Sequence, residues 1–225
     1  IFNHKNFKNI FFGEGYMYRY HPQINETIKI IKSSLIGKLI SMETNFGINL
    51  INKKNFFGFK KKIDKNKRIF NKNLGGGVIL DHGCYTTSMS LLIASLIDNL
   101  DITNYKLTDI QTDYLDSKID VHSFAKINFD NKFSSDVKVS FKENIGKKTI
   151  ILGESGKIVL ENNWNAEKNK IEVIEKNNKI FDFENKKNIY SLEIENISKD
   201  IIGNKTEASF PGINRKEILL NVQLI

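Results

Sequence analysis

The sequence predicts an α+β fold: an open, mainly antiparallel β-sheet with helices packed on one face. Two observations lead to this class. Short alternating apolar segments follow one another in the second half of the chain, separated by turn residues, as in successive hairpins. Segments with helical apolar spacing and capping signals lie before and after them. A sheet built from hairpins can carry a helix layer on one face, and 225 residues are enough for a real core.

The composition is that of a globular protein, with 40% hydrophobic and 27% charged residues. No apolar run approaches the roughly 20 residues of a membrane helix. The net charge is +8, but only three of the 34 basic residues are arginine, the residue best suited to reading bases and phosphates. We therefore expect no nucleic acid and no membrane partner. The single cysteine, Cys84, suits a reducing compartment and predicts a cytoplasmic protein.

The first elements follow from local signals. Residues 10–20 are rich in aromatic side chains and bounded by glycines, which predicts a buried strand. His21-Pro22 opens a helix with apolar residues at spacings of 4, 7 and 11, and Gly37 is expected to end it. Residues 38–46 form the next predicted strand.

A long segment without a clear period, residues 47–73, comes next. It contains a run of lysines at 60–62 and three phenylalanines, Phe56, Phe57 and Phe59. Such a segment within a compact domain is usually functional or mobile. We expect a loop over residues 75–85, with the alternative that its aromatic rings close the edge of the core.

The stretch from Leu74 to Tyr85 combines three glycines, an aspartate and a tyrosine ahead of an apolar helix at 84–97. The glycines permit backbone conformations that side chains forbid and leave room for a close approach. Asp81 and Tyr85 are four residues apart, so both side chains can face one side at the positive end of the helix. They are therefore candidates for a proton-transfer site. The alternative is a capping Asp81 and a Tyr85 packed in the core.

Six strands are predicted after this helix, at residues 121–129, 133–141, 148–152, 157–160, 171–175 and 179–183. Loops at 130–132, 153–156 and 176–178 join them in pairs. A helix from Tyr190 to Ile201 is closed by Gly203, and Asn214 with Glu217 has the spacing of a capping box before a final helix. The four histidines have no metal-ligand spacing, so no metal site is predicted.

Two stretches resemble signatures of the glucose–fructose oxidoreductase/inositol dehydrogenase (Gfo/Idh/MocA) family. They are Glu14-Gly-Tyr-Met-Tyr-Arg-Tyr-His-Pro-Gln23 and Leu74-Gly-Gly-Gly-Val-Ile-Leu-Asp81-His-Gly-Cys-Tyr85, the latter preceded by Arg68. Gly153-Glu-Ser-Gly156 is similar to a turn of the same family. The chain most resembles the branch that contains trans-dihydrodiol dehydrogenase and xylose dehydrogenase.

The resemblance implies a two-domain dehydrogenase. Residues 1–20 would be the tail of an N-terminal Rossmann domain, and residues 21–225 the C-terminal substrate and oligomerisation domain, truncated at its end. The chain has no Gly-x-Gly-x-x-Gly motif and no Glu-Lys-Pro, which supplies the family's catalytic lysine. NAD or NADP would therefore be bound mainly by the missing domain, and this chain by itself is expected to be inactive.

The resemblance also implies roles for individual residues. Tyr85 and Asp81 would be catalytic, and Tyr85 would also contact the substrate. A neighbouring lysine and the N-terminus of the helix would both lower the pKa of Tyr85. Tyr18 and Arg19 would line the cofactor side of the interdomain cleft, and Arg19 and His21 would contact substrate. For Arg19 the alternative is that it only pins the linker.

The function implied is hydride transfer between NAD(P) and a secondary alcohol or carbonyl of a sugar-like or cyclic diol substrate. A non-catalytic ligand-binding or regulatory relative is the alternative, because fold alone does not fix function. We also expect a homo-oligomer through the open face of the sheet. If Phe133, Val137, Val139 and Phe141 pack under helices, the opposite face of their strand is polar enough for solvent, and dimerisation would be weak or absent.

Overall fold

A computed structural model of the chain describes residues 7–59, 62–164, 168–176, 178–184 and 188–225. Lys60, Lys61 and Asn177 and residues 1–6 of the proposed Rossmann tail lie outside this part. The predicted class is confirmed: one eight-stranded sheet with four α-helices. None of the helices in the described part is both long and apolar enough to cross a membrane.

Most helix ends lie where local signals place them, but the first helix ends before Gly37, and the second, predicted at 84–97, ends at Ala94. They are α1 (Pro22–Lys32), α2 (Cys84–Ala94), α3 (Ile189–Ile202) and α4 (Arg215–Leu224). Pro22 occupies the first turn of α1, Gly203 follows α3, and Asn214 and Glu217 form the predicted capping box of α4. Helix α1 ends at Lys32, before Gly37, because Ser33 to Ile36 form turns.

The sheet has the order β2-β3-β4-β1-β5-β6-β7-β8. The strands are β1 (Leu39–Gly47), β2 (Tyr105–Tyr114), β3 (Asp120–Phe129), β4 (Phe133–Ser140), β5 (Gly146–Gly153), β6 (Gly156–Glu161), β7 (Lys168–Ile174) and β8 (Lys179–Glu184). Strand β1 lies in the middle, parallel to β4 and antiparallel to β5, and every other pair is antiparallel. The three predicted hairpins β3–β4, β5–β6 and β7–β8 are confirmed.

One sequence prediction about strands is wrong, and one strand was missed. Residues 11–16 have no regular structure and Met17–Tyr20 form a 3-10 turn, so there is no strand at 10–20. The aromatic residues there are buried, which produced a strand-like composition without a strand. Strand β2 was not predicted, because most of its residues are polar and few are buried at this edge of the sheet.

The main core lies between the sheet and the helices. Helix α2 packs on β1 and β4, α4 packs on α2, and α1 packs on β7. All residues of α2 from Thr86 to Ala94 are buried, so this helix is enclosed all round, not only along the predicted stripe. A second, smaller apolar cluster, which includes Phe141 and Phe70, lies between the sheet and the ends of the loop at residues 48–77.

The side chains of Phe133 and Val137 join the main core, and Val139 and Phe141 join the second cluster, so all four lie under helices or the loop. On the other side of the sheet, Lys126 pairs with Asp136 at 3.5 Å. The stated condition for weak dimerisation through β4 is therefore met. Oligomerisation itself stays a prediction.

The loop after β1 does not close the edge of the core with its aromatic rings. Phe56, Phe57 and Phe59 are 98%, 78% and 71% exposed. Its end does lie beside residues 75–85, since the Gly76 amide donates to Asn71 O and the Gly77 amide to Ile69 O, both at 3.0 Å. This contact agrees with the predicted placement of the loop.

Candidate active site

The segment ahead of α2 is a wide, π-helical turn, Ile79–Gly83, that runs directly into the helix. Two of the three glycines before it are required by the molecule's own packing. Gly77 has φ +120°, and a Cβ there would meet Asp120 Oδ1 at 2.0 Å. A Cβ on Gly76 would lie 2.5 Å from Arg68 O. The close approach predicted for these glycines is therefore made by the chain itself.

The expected capping role of Asp81 is wrong. The first free amide of the helical segment, Ile79 N, donates to Asp120 Oδ2 at 2.7 Å. Asp120 comes from β3, 41 positions later in the chain, so local sequence could not reveal it. Asp81 itself lies one turn further along and is left for other contacts.

Asp81 belongs to a polar group of three side chains. One of its carboxylate oxygens accepts from Arg68 Nη2, and the other lies 3.7 Å from His82 Nε2. The Arg68 side chain is 53% exposed and also donates to Gly75 O at 3.3 Å. The carboxylate is thus neutralised by a cation that the solvent reaches.

His82, the residue next to Asp81, was considered from the sequence only as a possible metal ligand. Its ring stacks on Phe46 with centroids 3.7 Å apart and planes 5° apart, and its Nδ1 lies 3.3 Å from Phe46 O. Burial lowers the pKa of His82 to about 4, although the nearby Asp81 charge acts in the opposite direction. At neutral pH the ring is therefore uncharged.

Tyr85 is half-buried within a ring of aromatic side chains. The neighbouring centroids lie 5.5 to 6.0 Å from its own, in Tyr16, Tyr18, Phe46 and Trp164. Within the described part of the chain its hydroxyl makes one weak hydrogen bond, to Met17 Sδ at 3.7 Å. A phenol held this way keeps its hydroxyl available for a stronger partner.

The pKa of Tyr85 is raised to about 12, first by burial and then by neighbouring groups including Cys84 and Asp81. A lowered pKa was expected, on the basis of a lysine from another domain. Within this chain the phenol is therefore neutral at neutral pH.

Arg19 lies at zero exposure and is fully engaged inside the domain. Its guanidinium pairs with Glu217 at 3.2 Å and donates to Ser88 O at 2.7 Å, Ser88 Oγ at 3.1 Å and Pro211 O at 3.2 Å. These contacts favour the alternative that Arg19 pins this part of the chain. Its contact with a cofactor or substrate stays a prediction.

Tyr18 and His21 are also buried next to this arginine. The Tyr18 hydroxyl donates to Ser88 Oγ at 3.0 Å. His21 caps α1 by accepting from Gln23 N at 3.0 Å, while its Nε2 is buried and has no hydrogen-bond partner among the described residues. Burial lowers the pKa of His21 to about 4. The structure therefore brings Asp81 and Tyr85 to one end of α2 and places Tyr18, Arg19 and His21 inside the core.

Asn221 of α4 makes hydrogen bonds to residues that are close in sequence to these two groups. Its Nδ2 donates to Tyr16 Oη at 2.8 Å and to Cys84 O at 3.2 Å, and its Oδ1 accepts from Thr87 Oγ1.

Within the described residues, no group of three or more His, Cys, Asp or Glu side chains is arranged to hold a metal ion.

Comparison with known proteins defines the class. Residues 24–159 match the family model described as the GFO/IDH/MocA C-terminal domain, and the chain belongs to this family, as its signatures indicated. A D-xylose 1-dehydrogenase (NADP(+)) from Haloferax volcanii is 27% identical over 128 residues, which are 57% of this chain and 34% of that protein.

Solved structures of oxidoreductases share the fold. A 3-ketoreductase from Actinomadura kijaniata, in complex with NADP and TDP-benzene, superposes with a TM-score of 0.74 at 12% identity, over 96% of this chain and 60% of that one. An aldose-aldose oxidoreductase from Caulobacter crescentus, complexed with glycerol, gives 0.70 at 16% identity, over 93% and 58%. The chain thus spans about a third of the curated relative and three fifths of these structures.

Proposed function

We propose that this chain is the substrate-binding part of an NAD(P)-dependent oxidoreductase. It would act on a secondary alcohol or carbonyl of a sugar-like or cyclic diol substrate. The observation that carries the proposal is the Tyr85 hydroxyl, which is held by aromatic rings near Asp81 and is almost uncommitted. Membership of an oxidoreductase family and the NADP(+)-dependent relative support it.

When bound, the nicotinamide cofactor would supply or accept the hydride. The residues of this chain would transfer the proton. Tyr85, neutral because its pKa is raised to about 12, would donate a proton to the substrate oxygen during carbonyl reduction. In the oxidation direction it must first lose that proton, which requires a cation close to the phenol. We propose that this cation belongs to a domain that precedes these residues, as the family resemblance implies.

Asp81 has a supporting role in this proposal. Its charge is balanced by Arg68, and its second oxygen faces the neutral ring of His82. This arrangement keeps a carboxylate near the reacting position without an isolated negative charge. Residues 1–20 would be the end of a nucleotide-binding domain, and the protein would be cytoplasmic. A homo-oligomer through the open sheet face would be weak, because the apolar side chains of β4 are already covered within the chain.

Tyr85→Phe in the complete protein tests the proposal. It should lower kcat by about 10²–10⁴, the usual effect of losing a positioned proton-transfer group, because the ring remains and only the hydroxyl is lost. D-xylose with NADP is the first substrate pair to assay, since a relative carries that activity in its name. Cofactor affinity and melting temperature should stay nearly unchanged.

Tyr114→Phe is the matched control, because Tyr114 is 62% exposed on the edge strand β2, away from α2. A Tyr85→Phe protein within about twofold of the wild-type kcat would contradict the catalytic assignment and favour a ligand-binding or regulatory relative. Asp81→Asn should cost less in rate than Tyr85→Phe, since Asp81 acts only beside the phenol.

A further inference from the structure

The loop at residues 53–67, which we call the Lys–Phe loop, holds most of the chain's charge imbalance. It contains seven lysines and one aspartate, a surplus of six positive charges in a chain whose net charge is +8. The basic character is therefore concentrated in one segment and is not a property of the whole surface. Single-sign concentrations of this kind attract a surface of opposite charge.

The lysines of this loop that the structure describes are free. Lys53, Lys54, Lys62, Lys65 and Lys67 are all exposed, and none lies within 4 Å of an acidic group among the described residues. The loop's one aspartate, Asp64, accepts from the amide of Asn66 instead. Their charge is thus not neutralised by an acidic group in the described part of the chain.

Three phenyl rings protrude between these lysines. Phe56, Phe57 and Phe59 are exposed almost completely, with Phe56 and Phe57 packed edge to face at 5.6 Å. Three adjacent exposed phenylalanines are unusual on a soluble surface and indicate a contact with an apolar medium. The rings have no polar atom and therefore gain no hydrogen bonds from exposure to water.

The tip that carries the rings is ordered by its own hydrogen bonds. Asn55 Oδ1 accepts from Phe57 N at 3.0 Å and Phe59 N at 2.9 Å, and Asn55 N donates to Phe59 O at 2.8 Å. Gly58, at φ +80°, completes the turn. The loop therefore holds the rings in an exposed position before binding, and binding requires no further ordering of the loop.

We infer that the Lys–Phe loop binds the surface of a bilayer that contains anionic lipid. Phenyl rings insert at the boundary of headgroups and acyl chains, and lysines around them pair with anionic headgroups. A nucleic acid fits less well, because stacking sites for bases lie in a groove, whereas these rings stand on a convex tip. The absence of arginine from residues 53–67 argues the same way. The inference is independent of the proposed oxidoreductase activity and differs from the expectation that no membrane is a partner.

Co-sedimentation of the full chain with vesicles tests the inference. Phosphatidylcholine vesicles with about 30% phosphatidylserine should bind the chain, and pure phosphatidylcholine vesicles should not. Raising the salt from about 0.05 M to 0.5 M should weaken binding strongly, since it screens the lysines. No binding to the anionic vesicles at low salt would overturn the inference.

Two triple variants separate the contribution of the phenyl rings to vesicle binding from that of the lysines. Phe56→Ser/Phe57→Ser/Phe59→Ser should lower the partition coefficient about tenfold or more, because the apolar area is lost. Lys53→Gln/Lys54→Gln/Lys62→Gln should lower it about 100-fold, from roughly fivefold per lysine near an anionic surface. All six side chains are exposed, so melting temperatures should not change.

The matched control removes the same charge elsewhere. Lys106, Lys118 and Lys199 are exposed and lie on other elements, so the triple change to Gln should lower the partition coefficient by less than about threefold. A control loss equal to that of the loop lysines would overturn the inference, as would a partition coefficient that is unchanged by loss of the three rings. Binding of a single-stranded oligonucleotide without vesicle binding would also overturn it and identify a nucleic-acid loop.

Discussion

Two arginine–carboxylate pairs flank helix α2, and they differ mainly in burial. The side chains of Arg19 and Glu217 are 0% and 4% exposed, and Arg19 is further held by the backbone and hydroxyl of Ser88. The side chains of Arg68 and Asp81 are 53% and 23% exposed, at the end of a loop. The same chemistry therefore serves two purposes. One pair fixes the chain in a single packing, and the other leaves a carboxylate where solvent and ligands can reach it.

The largest expected effect is at the buried pair. Arg19→Met should destabilise the domain by about 3–5 kcal/mol, because Glu217 is left as a buried charge without its partner. Urea unfolding of the variant gives the free energy directly. Arg19→Met/Glu217→Gln should recover at least about 1 kcal/mol, since the unpaired charge is removed. A cost below about 1 kcal/mol for Arg19→Met would show that burial does not distinguish the pairs.

The two buried histidines give the next effect, on pH dependence. Burial lowers the folded-state pKa of His21 and of His82 to about 4, from the ordinary histidine value of 6.5. Between these values the unfolded chain binds more protons, so the stability from each histidine is complete above pH 6.5 and is lost as the pH falls to about 4. We expect a loss of about 1–3 kcal/mol per histidine.

Urea unfolding at several pH values across this window measures the effect. His21→Asn keeps an acceptor for the amide of Gln23 but does not titrate, so about half of the pH dependence should disappear. A wild-type stability that is constant from pH 7 to pH 4 would contradict the assignment of both rings as neutral.

The helix cap gives a smaller effect and tests the roles of two aspartates. Asp120→Ala should cost about 1–2 kcal/mol, because the amide of Ile79 loses its acceptor. Asp81→Ala should cost less than about 0.5 kcal/mol, since its pair with Arg68 is partly exposed. Thermal melts of both variants make the comparison. The reverse order would return the capping role to Asp81.

The smallest effect is expected at Arg68. Arg68→Met should change the unfolding free energy by less than about 0.5 kcal/mol, because an exposed pair is screened by water. Chemical denaturation beside Arg19→Met provides the contrast. A loss above about 2 kcal/mol would mean that the Arg68 pair is part of the packing, as the Arg19 pair is.

Local chemistry made much of the fold predictable. Pro22 at the start of α1, Gly153 and Gly156 around a hairpin and the Asn214–Glu217 box all act within a few residues. The placement of Asp81 and Tyr85 near one end of α2 was also visible, because four residues span about one helical turn.

Contacts between distant residues were not predictable. Nothing near Arg19 indicates that its partner is Glu217, and nothing near Ile79 indicates a cap from Asp120. Strand β2 was missed because an exposed edge strand does not need alternating apolar residues. For His82 a signal existed, since it lies between Asp81 and Tyr85 in the candidate site, but its stacking on Phe46 depends on β1.

The central position of β1 has a consequence for the order of folding. Ser41 pairs with Ser134 and with Leu152, about 90 and 110 positions later in the chain. During synthesis at roughly 5–20 residues per second, β1 therefore has no partner on either side for about 5–20 seconds after it is made. Both wings of the sheet can form as hairpins before they join through it. We expect this strand, which is the first of the sheet to be made and waits longest for its first partner, to be the segment that molecular chaperones must shield.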